Sequence, residues 1–283
     1  MAIRRTMYGG VEQVAALLGC PVPVDFHKAS QLNTTLGIQP DAVPTTGEIT
    51  RMRAFVMGIG SHAYTTGMDN IALPTNKNHT ALDAGLFKTI PLCVRDVGND
   101  LDETYRQRYG LRRIENIGGV DRITYYAYLF DTTTTVIQPM VQRMVDGQVV
   151  ESNPFVPTQA NREPTPVDLS SQSTNQLQGQ VARVSAMVTL QMDAAAVAEV
   201  LNAAVLKYGS EDYAYVSEIG LVTAAQRQIQ SPNGGGSQIA FRELISAEIY
   251  AHIPTQLAMK DRRPGMSLTY NVGAMEPLFV NGG

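Results

Sequence analysis

The sequence predicts a mainly β protein: an antiparallel β-sandwich with one inserted helix, a short N-terminal helix and long extended arms and loops. Three observations carry that expectation. The run Asp121-Arg-Ile-Thr-Tyr-Tyr-Ala-Tyr-Leu-Phe130 is aromatic and β-branched, as half-buried strands are. Downstream, Asp146-Gly147 separates two apolar runs, the signature of a tight hairpin. Only Ala194 to Tyr208 carries a long helical stripe, with Asp193 placed to cap its start and Gly209 to end it.

Taken in order, residues 1–48 form an N-terminal helix and arm. Val11, Val14, Ala15 and Leu18 stand at helical spacing before Gly19, and Pro21 and Pro23 then force an extended chain. Residues 24–48 hold Pro40 and Pro44 among Thr and Gly and read as surface loop. Residues 49–151 make the first half of the sandwich. Ile49 to Ile59 alternates with both faces largely apolar, as in a covered strand. The stretch 60–100 is a long loop, with short helices expected near 80–87 and 100–109. In the second of these Asp100, Asp102 and Glu103 stand in the first turn and Arg106 and Arg108 in the last, each opposite in sign to the helix dipole. Residues 121–151 then predict a meander of three or more strands. Residues 152–180, with Pro154, Pro157, Pro164 and Pro166 among Ser, Thr and Gln, read as a linker or arm. Residues 181–283 supply the second half: a strand at 181–192, the helix 193–208, a strand at 213–224, a flexible tip at Ser231 to Gly236, a β-rich run from 238 that Pro254 breaks, and a short strand from Leu268 to Val272. The two halves are expected to form one composite domain.

Composition narrows the function. The chain has 283 residues, 44% hydrophobic and 17% charged, with a formal net charge of -4. Charge is scarce against roughly 25% in average globular proteins, while hydrophobicity is ordinary, so uncharged polar residues fill the difference. Interfaces are likewise depleted in Lys, Glu and Asp. Five lysines against seventeen arginines adds to this, because the planar guanidinium suits interface ion pairs. The negative balance argues against affinity for nucleic acid through phosphate neutralisation. Cys20 and Cys93 stand alone, which argues against a disulfide framework or a cysteine zinc site. No apolar stretch approaches the roughly 20 residues of a membrane span, and the chain is expected to work without membrane insertion, made in a reducing cytoplasm.

Few residues point to chemistry. The histidines, His27, His62, His79 and His252, lack the spacing that puts two imidazoles on one metal. Ser61 in Gly58-Ile-Gly-Ser-His62 invites a serine hydrolase reading, but the glycines fall at the wrong offsets for a nucleophile elbow. The acidic group Asp96, Asp100, Asp102 and Glu103 is the candidate for a hard cation, against the simpler reading of a helix cap and a solvated face. No cofactor is expected. An exposed aromatic platform would favour a carbohydrate- or receptor-binding sandwich, whereas the tyrosines cluster in one expected core strand.

The ordered segments Arg51-Met-Arg-Ala-Phe-Val-Met-Gly-Ile-Gly60, Leu73-Pro-Thr-Asn-Lys-Asn-His-Thr-Ala-Leu-Asp-Ala-Gly-Leu-Phe87, Tyr109-Gly-Leu-Arg-Arg-Ile114, Asn153-Pro-Phe-Val-Pro-Thr-Gln-Ala-Asn161 and Val216-Ser-Glu-Ile-Gly220 resemble virion structural proteins of large, chiefly contractile-tailed bacteriophages. The resemblance covers most of residues 45–278. It implies a non-enzymatic protein of the virion, assembled in the host bacterial cytoplasm as a homo-oligomeric ring at the head-to-tail neck or collar. Its neighbours would be connector, tail or capsid components, with a baseplate, tail or capsid-decoration position as the alternative. Pro-containing arms that bury few of their own apolar residues fit the same picture, since a neighbouring subunit orders them best. The residues expected at subunit contacts are Arg4, Arg5, Phe26, Pro74, Asn76, Phe155, Pro157, Arg262 and Arg263.

Overall fold

The computed structural model describes residues 4–5, 7–18, 32, 36, 50–66, 72–132, 135–156, 179–232 and 238–277. The protein is mainly β, with antiparallel sheets and few helices, as the sequence predicts. It divides into two compact units that the chain visits in turn: unit 1 holds residues 1–132 and 190–268, and unit 2 holds 133–189 and 269–283.

Unit 1 is built on a seven-stranded sheet. Its strands are β1 (Arg4–Arg5), β2 (Arg51–Gly58), β5 (Cys93–Asp96), β6 (Tyr109–Ile117), β7 (Val120–Leu129), β11 (Tyr215–Pro232) and β12 (Gln238–Ala258). Their order is β1-β12-β11-β2-β7-β5, with β6 also paired to β7. β7 is the tyrosine-rich run, and its Tyr125 and Tyr126 are buried. Ala54, Val56, Leu111, Val222, Leu244 and Ile249 close the core around Tyr126.

Two helices flank this sheet. In α1 (Met7–Leu18), Gly9 permits close approach to β12, because a Cβ there would collide with the Tyr250 carbonyl. The helix α3 (Ala194–Tyr208) has the bounds its sequence predicts. Asp193 accepts from Ala196 N, and Gly209 sits at φ 88°, where a side chain would be strained. Arg95 of β5 grips Glu199 of α3 through both terminal guanidinium nitrogens. The one-turn helix α2 (Glu103–Arg106) replaces the longer helix expected at 100–109, because Tyr109 already pairs with Tyr128 in the sheet.

Two expectations need correction. Residues 80–87 are not helical: Thr80 N and Oγ1 both donate to the Asp83 carboxylate, at 3.0 and 2.7 Å, and close a local turn instead. Pro254 does not break its strand, because β12 runs on to Ala258. A register shift between Val216 and Glu218 puts an irregularity in the pairing beside Pro254, and among the described residues β1 pairs no further than His252, so the strand tolerates the missing N–H there. The expected final strand at 268–272 is the middle of the longer β13 (Gly265–Pro277).

The described residues of unit 2 form a four-stranded sheet in the order β13-β10-β8-β9, where β8 is Ile137–Val145, β9 is Gln148–Pro154 and β10 is Gln180–Asp193. Asp146 and Gly147, at φ 50° and 75°, make the tight turn between β8 and β9. Residues 157–178, the greater part of the expected linker, and the tip at 233–237 lie outside the described residues.

Candidate functional site

Much of the segment read as a long loop is organised by contacts to distant strands. The hairpin β3 (His62–Thr66) and β4 (Ala72–Asn76) is bolted to β11 and β12 at its base. Asn76 Nδ2 donates to Ser217 O at 2.9 Å and to Thr255 O at 2.8 Å. Ser61 N donates to Ser217 Oγ at 2.9 Å, and His62 Nε2 to Tyr215 O at 2.7 Å. Away from that base the hairpin is bare: Tyr64 is 76% exposed, with Leu73 and Pro74 exposed beside it.

Beneath the following turn lies a buried array of ionisable groups. His79 Nδ1 is 3.0 Å from Asp83 Oδ2, and Nε2 is 2.5 Å from Glu218 Oε2. Carboxylates at both ring nitrogens favour the doubly protonated imidazole, since each can accept one N–H. Burial works against that charge, but the hydrogen bonds to Glu218 and Asp83 outweigh it and hold His79 above the ordinary imidazole range. Glu218, fully buried, also accepts from the N–H groups of Gly60, Phe87 and Lys88 at 3.3 to 3.4 Å. A Cβ at Gly58 would stand 2.5 Å from its Oε1, so only glycine leaves room for the carboxylate. His252 stacks on His79 at 3.8 Å and donates to Gly85 O at 2.9 Å. Burial, then the charge on His79, pushes it down to about 4, and its Nδ1 has no hydrogen-bond partner among the described residues. The array ties residues 79–88 to β11 and β12 and leaves no ring nitrogen of His79 for a metal.

Between the hairpin and the turn that follows α3 runs an open groove of about 380 Å³, lined by Ile59, His62, Tyr64, Pro74, Tyr213 and Tyr215. Tyr213 is 52% exposed. The charges along its rim close on one another: Lys260 bridges Asp212 at 2.8 Å and Glu211 at 3.3 Å, and Arg263 meets Glu211 at 2.7 Å. The exposed surface of the groove is therefore largely aromatic, with the neighbouring charges paired. These exposed tyrosines are also the platform that a carbohydrate-binding reading asks for.

Unit 2 presents a second surface. Ala182 opposes Val141 and Ala186 opposes Ile137, so these side chains share a face with Val184. Thr189 and Thr269 touch on the opposite face, which places Tyr270, Val272 and Ala274 with Val184. Ile137, Val141, Val184, Ala186, Tyr270 and Val272 thus form an apolar strip across β8, β10 and β13, with Arg143, Glu151 and Asn153 on the same face toward β9, while the other face mixes Gln138, Gln142, Arg183, Ser185, Thr189 and Asn271 with Met140, Val181 and Met187. None of the six apolar side chains is fully buried, and Ile137 is 67% exposed. Among the described residues, unit 2 has no second layer to cover them.

The expected contact residues distribute unevenly. Pro74 lines the groove, Asn76 anchors its hairpin, Arg263 closes its rim and Arg262 is exposed nearby in sequence. Phe155, 39% exposed, follows β9. Arg4 and Arg5 pair through their backbone with His252 and Ala251. Phe26 and Pro157 lie outside the described residues. The acidic candidates are engaged elsewhere. Asp96 pairs with Arg122, Asp100 accepts from Tyr125 Oη and Arg112, and Asp102 caps α2. No group of three or more potential metal ligands occurs among the described residues. The Ser61 hydroxyl donates to Lys77 O at 2.9 Å, so the Ser61-His62 pair lacks the hydrogen bond that would activate a nucleophile. His79, Glu218 and Tyr213 were not singled out from sequence. The one available signal was a glutamate inside the apolar strand pattern Val216-Ser-Glu-Ile-Gly220.

Together these features define a mainly β protein with an aromatic groove in unit 1 and a partly exposed apolar strip in unit 2. A model of a family of unknown function (DUF7208) matches residues 1–283, and the protein belongs to that family. No curated protein and no solved structure matches the chain. No helix among the described residues is long and apolar enough to cross a membrane.

Proposed function

We propose that the protein is a non-enzymatic structural component of a tailed-bacteriophage virion, assembled in the host cytoplasm as a homo-oligomeric ring at the head-to-tail neck or collar. A baseplate, tail or capsid-decoration position is the alternative within the same class. The observation that supports assembly is the partly exposed apolar strip of the unit 2 sheet, which has no second layer over it among the described residues. A sheet hydrophobic on one face must bury it against another layer, and contiguous apolar patches mark interaction sites. The position in the virion rests on the resemblance of the ordered segments between residues 45 and 278.

The test has two arms. Sedimentation velocity and negative-stain microscopy of the purified chain should give closed rings, and mass spectrometry of purified virions should find the protein in several copies. A monodisperse monomer that is absent from particles would sink the reading. Immunogold labelling through the C-terminus separates neck from baseplate and capsid.

A further inference from the structure

A ring needs a contact different from a two-fold one. In an isologous pair the same patch meets itself and growth stops at two, whereas a closed ring joins one patch to a different patch on the next copy. The described residues hold a concave and a convex member of such a pair.

The concave member is the groove between the β3–β4 hairpin and Tyr213. Its walls are Tyr64, Pro74, Tyr213 and Tyr215, and its volume of about 380 Å³ has room for an aromatic side chain and its neighbour. The convex member is the end of β9. Every residue of this edge strand is exposed, and the chain leaves it as Pro154-Phe155-Val156, with Phe155 39% and Val156 68% exposed. The segment is ordered at its root, because Phe155 N donates to Pro139 O at 2.9 Å and holds the backbone against β8. It therefore offers an aromatic ring on a fixed base, which lowers the ordering cost of docking.

The two surfaces agree in charge as well as in shape. Asn153-Pro-Phe-Val156 carries no charge, and the groove's Asp212, Glu211, Lys260 and Arg263 are already matched among themselves. Neither side would bring an unpaired charge into a dry joint. Phenylalanine among tyrosines is also the chemistry enriched at interface centres, where offset and edge-on ring contacts add to burial.

We infer that the groove of one copy receives the Pro154-Phe155-Val156 end of β9 from the next copy, as the head-to-tail joint of the assembly. The inference rests on the assembly reading and names the surfaces that meet. Its test is disulfide trapping. Phe155→Cys and Tyr64→Cys are introduced together in a chain that also carries Cys20→Ser, and the sample is oxidised mildly. The joint predicts a ladder of covalent dimers, trimers and higher species on a non-reducing gel, absent from either single variant. In parallel, Phe155→Ala and Tyr213→Ala should each weaken self-association about tenfold or more in sedimentation, with far-UV circular dichroism unchanged.

Dimers alone, a disulfide closed within one chain, or oligomers that neither cross-link nor respond to Phe155→Ala would overturn the joint while leaving the assembly reading standing. A monomeric chain would remove both. Perturbation of Tyr213 by maltohexaose, with association untouched by either alanine variant, would reassign the groove to a saccharide.

Discussion

Glu12 and His79 each keep a proton in the folded chain beyond the pH at which the unfolded chain would release it. Glu12 of α1 is 6% exposed. Burial first, and then the neighbouring charge of Glu248, raises its carboxyl to about 8. For a raised carboxyl the folded state binds the extra proton, so the linked stability is full near pH 4.5 and fades as pH climbs to 8. His79 acts in the same direction: its contribution is complete below the ordinary imidazole value and is lost above its raised one. His252, pushed down to about 4, acts oppositely, and its contribution falls away as the medium is acidified from about 6.5 to 4. Thermal melts should therefore lose several degrees between pH 6 and pH 9, at about 2–4 °C per kcal/mol for a chain of this size. Glu12→Gln, which cannot ionise, should flatten the alkaline limb. A wild-type melting curve that does not change from pH 6 to 9 would refute this account. His79→Ala leaves Glu218 buried without its cation and should cost about 3–5 kcal/mol in urea unfolding, with Glu218→Gln in the same chain restoring part of the loss. An alanine variant as stable as the parent would show that Glu218 is satisfied by its backbone donors alone.

At the scale of elements, legibility followed the distance over which an element is specified. The helix α3 was readable to the residue because its signals are local. Asp193 caps the amide three positions on, and Gly209 ends the last turn. Asp193→Ala should cost about 1 kcal/mol as a lost cap, with the ion pair to Arg108 adding little because it is exposed; chemical denaturation measures both. The turn after β4 was misread for the converse reason. Its fold depends on Glu218, which is 139 positions from His79, and on His252, which is 167 from Gly85. Nothing in the spacing of Thr80 to Phe87 announces those partners, whereas the apolar spacing that invited a helix is local. Pro254 shows the same limit: a proline breaks a strand only where its missing N–H has a partner to disappoint, and that depends on pairing the sequence does not display.

For the whole molecule, alternation in Val181 to Met192 was visible in the sequence, and so was the scarcity of charge. Which face the alternation presents, and that β8, β10 and β13 of unit 2 share one apolar strip, required the register of β8 and β10 and the Thr189–Thr269 contact. If that face is covered by neighbours, Val184→Lys and Val272→Lys should dissociate the assembly while changing the melting temperature of the monomer by no more than a few degrees, since neither residue is fully buried. Light scattering against concentration reads the first effect and calorimetry the second. Retention of the full assembly by both lysine variants would place the contact elsewhere.

The division of the chain also sets a clock. The unit 2 sheet draws on residues 135–156, 179–189 and 269–277, with most of unit 1's later strands synthesised in between. On a ribosome the first three of its strands emerge well before β13, and the third of the apolar strip made by Tyr270 and Val272 does not yet exist. Domains fold as units while the chain grows, and incomplete sheets are the species that aggregate. Finishing this sheet with β13 delays the complete apolar strip until the strands of unit 1 have emerged, so that if copies do assemble they would meet as folded subunits.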